Sequence, residues 1–510
     1  MTMKRIRPRL EINLQELDQV LDQARQAPLS EPDCQKIRNT LHTLVELLAP
    51  ARSTEKTNAV LANAADPAND PQTPANDRKA SPQGHGRNGA AGFSAAQKVA
   101  VAHASLASGD RCPECEKGKV YRQKEPKPLL RIIGQAPLTA TVYELERLRC
   151  NACGQIFTAQ EPVEAGPDKY DATTGAMIAQ LKYGSGVPFY RLEKLQSSLG
   201  IPLPAATQWE IVEEAAELLK PALEELIRQA AQGDVLHNDD TSMRILRLAR
   251  EPSDKRTGTF TSGIVATRQG QKIALYFTGR QHAGENLAGV LRARAAELPP
   301  PLQMCDALSR NVPKLPAGVE ILVAHCLAHG RRQFVDIVEN FPAACRYVLE
   351  MLGKVYGFEA AARERGLPAP ESLQFHQQYS APVMAELHGW LERQLAEKQA
   401  EPNSGLGQAI TYLLRHWRGL TAFLREANAP LDNNLCERAL KRAVLHRKLF
   451  FKTMNGAQAG DLFMSLIHIC ELCGAHSFEY LTELQKHAAE LARKPAQWMP
   501  WNYRDTVRAG

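Results

Sequence analysis

Three carboxylates stand in short blocks whose chemistry could be shared: Asp239 in His237-Asn238-Asp239-Asp240-Thr241, Asp306 in Gln303-Met304-Cys305-Asp306, and Glu437 in Asp432-Asn433-Asn434-Leu435-Cys436-Glu437-Arg438. Brought together, they would hold two divalent cations about 4 Å apart, an arrangement that activates a nucleophile and stabilises the leaving oxygen in phosphodiester chemistry. Each acid also has an ordinary alternative. Asp239 could sit in a turn or cap a helix, and Asp240 beside it would face the opposite side of a strand, so only one of the two can meet a shared metal. Asp306 could cap the turn after its strand. Asn434-x-x-Glu437 matches a capping box, in which the glutamate bonds back to the helix start. Charge favours the chemical reading of the third block. Residues 431–455 carry six cations, Arg438, Lys441, Arg442, Arg447, Lys448 and Lys452, against two acids, which suits a place where metal and phosphate meet.

Cys112-Pro113-Glu114-Cys115 and Cys150-Asn151-Ala152-Cys153 are two C-x-x-C pairs with 34 residues between them. They predict two knuckles closing a tetrahedral thiolate site on a structural Zn²⁺. Cys470-Glu471-Leu472-Cys473 falls in a helical pattern and reads as packing. His325-Cys326-Leu327-Ala328-His329 has no second ligand pair nearby, so zinc is not expected there, and Arg331 and Arg332 after it read as phosphate contacts.

The elements that must position these residues form a multidomain α+β chain. Leu14, Leu17, Leu21, then Ile37, Leu41, Leu44 and Leu48 recur at helical spacing and predict a helical segment over 1–50 suited to self-association. A linker over 51–99 follows, since Ala62 to Gly92 holds no Leu, Ile, Val, Met, Cys, Phe, Tyr or Trp. Residues 100–162 read as a small zinc-ribbon-like domain with strand-like runs such as Leu138-Thr139-Ala140-Thr141-Val142-Tyr143. Residues 163–232 read as three helices, a layout compatible with a helix-turn-helix, although Glu210, Glu213, Glu214 and Glu217 on the last would repel phosphate. Strands are expected at Asp234–Leu248, Thr257–Arg268, Lys272–Thr278, Leu302–Asp306 and Glu320–Ala324. Helices follow over 332–430, and after the basic block at 431–455 comes a helical region over 456–510 with an amphipathic helix around Leu462, Ile467 and Leu472.

Composition bounds the class. The 510 residues, 44% apolar with net charge +6, suit a soluble, mildly basic protein of several domains. Eleven cysteines are too few for a disulfide framework at this length and point to reduced thiols plus a metal site. There is no apolar run of about 18 residues and no signal-like start, which predicts a cytoplasmic protein without a membrane partner.

Several blocks together resemble the transposases of the insertion sequence 66 family. The resemblance spans the helical start, Gly84-His85-Gly86-Arg87, the paired C-x-x-C segment, Lys182-Tyr183 with Pro188-Phe189-Tyr190-Arg191, the acidic blocks, Pro430-Leu431-Asp432-Asn433-Asn434-x-x-Glu437-Arg438-Ala439, Ser465-Leu466-Ile467 and Tyr480-Leu481. It implies a ribonuclease-H-like α/β catalytic core over 233–331 and 431–455, interrupted by an all-α insertion over 332–430. It further implies that Asp239, Asp306 and Glu437 are catalytic and bind two Mg²⁺, with Mn²⁺ as a substitute. DNA would be the partner, both the element's terminal inverted repeats and the target, contacted by Arg331, Arg332, Arg438, Lys441, Arg442, Arg447 and Lys448. A homo-oligomer on the nucleoid, with accessory proteins of the same element, completes the expectation. The chain departs from the family's usual Asp-Glu-Thr at Asp239-Asp240-Thr241, from Asp-Gly-Tyr at Asp306-Ala307-Leu308, and from Trp at Leu327; no triad carboxylate is lost. A nuclease that cuts without joining and a non-catalytic DNA-binding relic share the same features.

Overall fold

The computed structural model describes residues 100–123, 136–149, 156–248, 256–316, 318–447 and 450–509. The helices expected over 1–50, the linker over 51–99, and Cys150, Cys153 and Lys448 lie outside the described residues. In chain order the main elements are β1 (Arg147–Arg149), β2 (Ile156–Thr158), α1 (Ala172–Ala179) with a π-helical turn over Gln180–Gly184, α2 (Phe189–Ser198), α3 (Ala205–Ala230), β3 (Val235–Ser242), β4 (Phe260–Arg268), β5 (Gln271–Gly279) and α4 (Ala283–Leu291). Next come β6 (Leu302–Cys305), β7 (Leu322–His325), α5 (Leu327–Val335), α6 (Pro342–Glu364), α7 (Ala369–Ala396), α8 (Gly405–Leu420), α9 (Asn434–Arg447), α10 (Met454–Cys473), α11 (Ser477–Lys486), α12 (Ala488–Arg493) and α13 (Tyr503–Ala509).

The sheet has five strands in the order β5-β4-β3-β6-β7, and β3 is shared by two compact units. The first unit comprises Val235–His237 and Pro300–Leu435 among the described residues. There the start of β3 runs parallel to β6, with Val235 opposite Leu302 and His237 opposite Met304, and β6 runs parallel to β7. Strands this short are held by burial: all four residues of β6 are buried. Helices α5 to α8 close around their own core, in which Phe334, Leu349, Leu352, Leu387, Leu391, Ile410 and Leu413 are at most 1% exposed. Ser404 starts α8 by accepting the Gly407 N–H at 3.0 Å, the side-chain oxygen satisfying one donor that a helix start leaves unpaired.

The second unit holds the described part of Pro67–Asp234, with Asn238–Pro299 and Cys436–Gly510. Strands β4 and β5 form an antiparallel hairpin through Gln269 and Gly270, both at positive φ (50° and 82°), as a two-residue turn matched to strand twist requires. Helix α9 packs on β4 at Gly263, where a Cβ would stand 3.0 Å from Leu440 Cδ2, and the Cys436 thiol donates to Gly263 O at 3.3 Å. Helix α10 is not amphipathic, contrary to its pattern: Ala459 to Ile467 are all buried. Its polar residues are bonded instead. Asp461 accepts the Thr278 N–H and hydroxyl, each at 2.6 Å, and Ser465 Oγ accepts the Tyr276 N–H at 3.1 Å.

The strand-like run Leu138–Tyr143 forms no strand, and Val142 is 82% exposed. β-Branched residues favour a strand only against a neighbour, and the short antiparallel pair here is β1 with β2. Among the described residues no helix is long and apolar enough to cross a membrane.

Candidate active site

Strand β3 sends Asp239 and Asp240 to opposite sides, as strand geometry dictates. The Asp240 carboxylate is spoken for: its Oδ2 lies 2.8 Å from His282 Nδ1, with the side chain 2% exposed. His282 precedes α4, and its N–H donates to Glu285 Oε2 at 2.9 Å, closing the helix start. Asp239 is half-buried, and its Oδ1 accepts the Asp240 N–H at 2.8 Å. Asp240 is thus held by His282, which lies 42 residues further on and carries no local signal of the pairing.

On the side of β3 that carries Asp239, His237 meets the Asn433 side chain, Nδ1 to Oδ1, at 3.1 Å. Burial pushes the His237 pKa down to about 4, against an upward pull from that hydrogen bond, so the ring is neutral at pH 7. Asn433 is fully buried and its N–H donates to Cys326 Sγ at 3.2 Å. This ties the chain just before α9 to both β3 and the end of β7.

Asp306 directly follows β6 and is 8% exposed. Its Oδ1 accepts the Leu308 N–H at 3.2 Å and the Asn311 side-chain amide at 2.5 Å, while Gln303 donates to Asn311 O at 2.7 Å. Both donors to the carboxylate converge on Oδ1, leaving Oδ2 outside these bonds. Helix α8 contributes Tyr412, whose hydroxyl is pushed well up by burial and then by the Asp306 charge. His325, paired with Cys305 across β6 and β7, packs its ring 5.3 Å from that of His416. Its pKa is lowered, first by burial and then by His416, against an upward pull from Asp306.

Glu437 is half-buried in the first turn of α9. The helix begins at Asn434, so Asn433 occupies the N-cap position and Glu437 falls one residue beyond the capping-box place that the sequence suggested. The helix is anchored two residues later, where the Tyr276 hydroxyl donates to Ala439 O at 2.8 Å and lies 2.8 Å from His468 Nδ1. Along it Arg438 and Lys441 are exposed and Arg442 is ion-paired with Glu471; the Arg447 side chain lies outside the description. Arg331 is buried and Arg332 half-buried on α5. By unit, Asp239 and Glu437 belong to the second and Asp306 to the first.

Cys112 and Cys115 share one tight turn, closed by Glu116 N–H to Cys112 O at 2.9 Å and Cys112 N–H to Gly118 O at 2.9 Å. The exposed Cys115 thiol has its pKa lowered by hydrogen bonds from the backbone at Gly118 and Lys117, then from Cys112. Sequence reasoning found this pair by spacing; it did not find Asn311, Asn433 or His282 as partners of the acidic blocks.

These elements define a mixed α/β protein built on a five-stranded mixed sheet with many helices. The sequence profile described as "Transposase IS66 family" matches residues 169–459, more than half of the chain, and the protein belongs to that family. It is 28% identical over 375 residues to the uncharacterized protein y4jD of Sinorhizobium fredii (strain NBRC 101917 / NGR234), covering 70% of this chain and 71% of that protein. A second relative in the same strain, the uncharacterized protein y4hP, is 26% identical over 390 residues, covering 70% and 67%. Family membership gives the chain a transposase role, with DNA as its substrate and divalent metal in its chemistry.

Proposed function

We propose that this transposase cuts DNA at the ends of an insertion sequence and joins the freed 3′-hydroxyls to target DNA, with Asp239, Asp306 and Glu437 as its metal-binding triad on a ribonuclease-H-like core. The observation that carries the reading is strand register. His237 faces Met304 across the parallel pair β3 and β6, and Asp239 and Asp306 each lie two residues further along their chains. Glu437 enters from α9, whose preceding residue Asn433 is bonded to His237.

The residues suit hard divalent cations. Three carboxylates supply oxygen only, and Asp306 keeps Oδ2 clear of its structural hydrogen bonds. Two Mg²⁺ ions, replaceable by Mn²⁺, would supply charge to activate the attacking oxygen and to stabilise the leaving one. The chain's own work is positional. Asn311 and the Leu308 N–H fix the Asp306 carboxylate, the Asp240–His282 pair fixes the strand beside Asp239, and neutral His237 adds no competing positive charge. Arg438 and Lys441, exposed on α9, are assigned to the DNA backbone together with Arg332, Arg447 and Lys448, whereas Arg331 is buried and Arg442 is ion-paired with Glu471, which gives those two a supporting place.

The Cys112–Cys115 turn suits zinc, because backbone N–H groups directed at a sulfur favour the thiolate that binds it. Cys150 and Cys153 would complete the set, giving a structural centre. Metal analysis of Cys115→Ser should show zinc at background; retained zinc would refute the assignment. A homo-oligomer acting on the nucleoid in the cytoplasm, with accessory proteins of its element, completes the proposal.

The test is a supercoiled plasmid carrying the element's ends, incubated with Mg²⁺. Asp239→Asn, Asp306→Asn and Glu437→Gln should each abolish cleavage and joining; undiminished cleavage by any of them removes that residue from the triad. Hydrolysis without strand-transfer product from the wild type would identify a nuclease instead.

A further inference from the structure

Burying a lysine without an acid is costly, and Lys182 is such a lysine. It lies in the π-helical turn Gln180–Gly184 and keeps only 9% of its surface exposed. Among the described residues no carboxylate pairs with it. Its ammonium rests over aromatic rings instead, 5.3 Å from the Phe189 centroid and 6.0 Å from that of Tyr183. Burial, with no charged neighbour to offset it, pulls the Lys182 pKa down to about 8.

The turn is held firmly. Ser185 N–H bonds to Gln180 O at 3.0 Å, the five-residue step of a π-turn, and Tyr183 stacks on Phe463 at 5.3 Å and 11°. His446 Nε2 donates to Tyr183 O at 3.2 Å, and burial holds that ring neutral with a pKa of about 4. Turns of this kind interrupt a helix at a cost and are frequent at functional sites.

Phe189, under the lysine, is the first residue of α2. Pro188 precedes it, no side chain caps the helix, and its first turn contains no acid. A ten-residue helix therefore presents unpaired N–H groups and the positive end of its dipole beside an unpaired ammonium. Outward on α2 stand the exposed Tyr190, Arg191 and Lys194. The helix's one acid, Glu193, is turned to the Ala205 N–H at 3.3 Å, where it serves the start of α3.

We propose that Lys182 and the N-terminus of α2 together bind one phosphate of a DNA backbone, with Tyr190 and Arg191 flanking the strand. The phosphate supplies the anion that the buried lysine lacks, and the cationic outer face of α2 suits a polyanion. This inference rests on the transposase reading.

The test uses the full chain and a linear duplex carrying an element end, with affinity measured across a salt series and thermal unfolding measured without DNA. Lys182→Met replaces the ammonium with an apolar side chain of similar length. It should weaken duplex binding about tenfold and flatten the log–log salt slope by about 0.9, the contribution of one phosphate. The DNA-free midpoint should hold or rise, because an unpaired buried charge has gone. Tyr190→Glu, at an exposed first-turn position where an acid suits the helix dipole, should weaken binding without unfolding. Unchanged affinity and slope in both variants would overturn the proposal. So would a Lys182→Met protein that loses binding only by unfolding while Tyr190→Glu binds normally. A wild type that binds no duplex overturns the transposase reading itself, and this inference with it.

Discussion

Two buried carboxylates meet the sheet in opposite ways. Asp461, from α10, gives one oxygen to the Thr278 N–H and the other to its hydroxyl, both at 2.6 Å. Asp306, at the end of β6, takes both its donors on Oδ1, from residues two and five positions further on. A carboxylate bonded through both oxygens belongs to the framework; one held by a single oxygen is oriented and still has a ligand atom to offer. Burial alone does not separate them, since they are 6% and 8% exposed.

The comparison can be broken by mutation. Asp306→Asn should cost on the order of 10³-fold or more in plasmid cleavage and leave the unfolding midpoint nearly unchanged. Asp461→Ala should do the reverse, destabilising the chain by about 2 kcal/mol in denaturant titration, because it strands the buried Thr278 N–H while the Thr278 hydroxyl can still turn to Thr261 Oγ1, 2.7 Å away. Cleavage by the folded fraction should be little affected. Similar profiles for the two variants would dissolve the distinction.

Acid titration sharpens it. His237, His446 and His468 have folded pKa values lowered by burial to about 4 from 6.5. Below pH 6.5 the unfolded chain binds protons that these rings in the fold do not, so they remove stability as pH falls toward 4. Asp461 acts in the opposite sense. Its folded pKa is raised by burial to about 7 from 3.8, so its contribution is present below 3.8 and lost as pH rises through 7. Three protons outweigh one, and the unfolding midpoint should drop between pH 6.5 and 4, more steeply in Asp461→Asn than in the wild type. The smallest effect is expected from Tyr276→Phe, about 1 kcal/mol of stability for the lost bond to Ala439 O; a denaturation shift several times larger would mean that the hydroxyl holds α9 as a whole.

Strands β4 and β5 were legible as the runs Thr257–Arg268 and Lys272–Thr278 because strand pattern acts locally, whereas their pairing through Gln269 and Gly270 came with the fold. Leu138–Tyr143 was overread because β-branched content signals a strand only when a partner exists. The full burial of α10 was hidden by its Gly and Ala positions, which score as weak apolar residues yet allow close packing, as at Gly460 against Phe451. At the candidate site the acids were visible as motifs, whereas their orienting partners were not. His282 and Asn433 act across 42 and 196 positions, and only folding supplies such contacts.

The side chains that α10 extends to β5 have a consequence for assembly. Strand β5 ends the sheet, and the N–H groups of Tyr276 and Thr278, two residues apart on that outermost strand, are taken by Ser465 and Asp461. A foreign strand approaching there would find its docking donors occupied. At those two positions the edge is closed to sheet-to-sheet pairing through β5, a protection against aggregation that α10 supplies from within the fold.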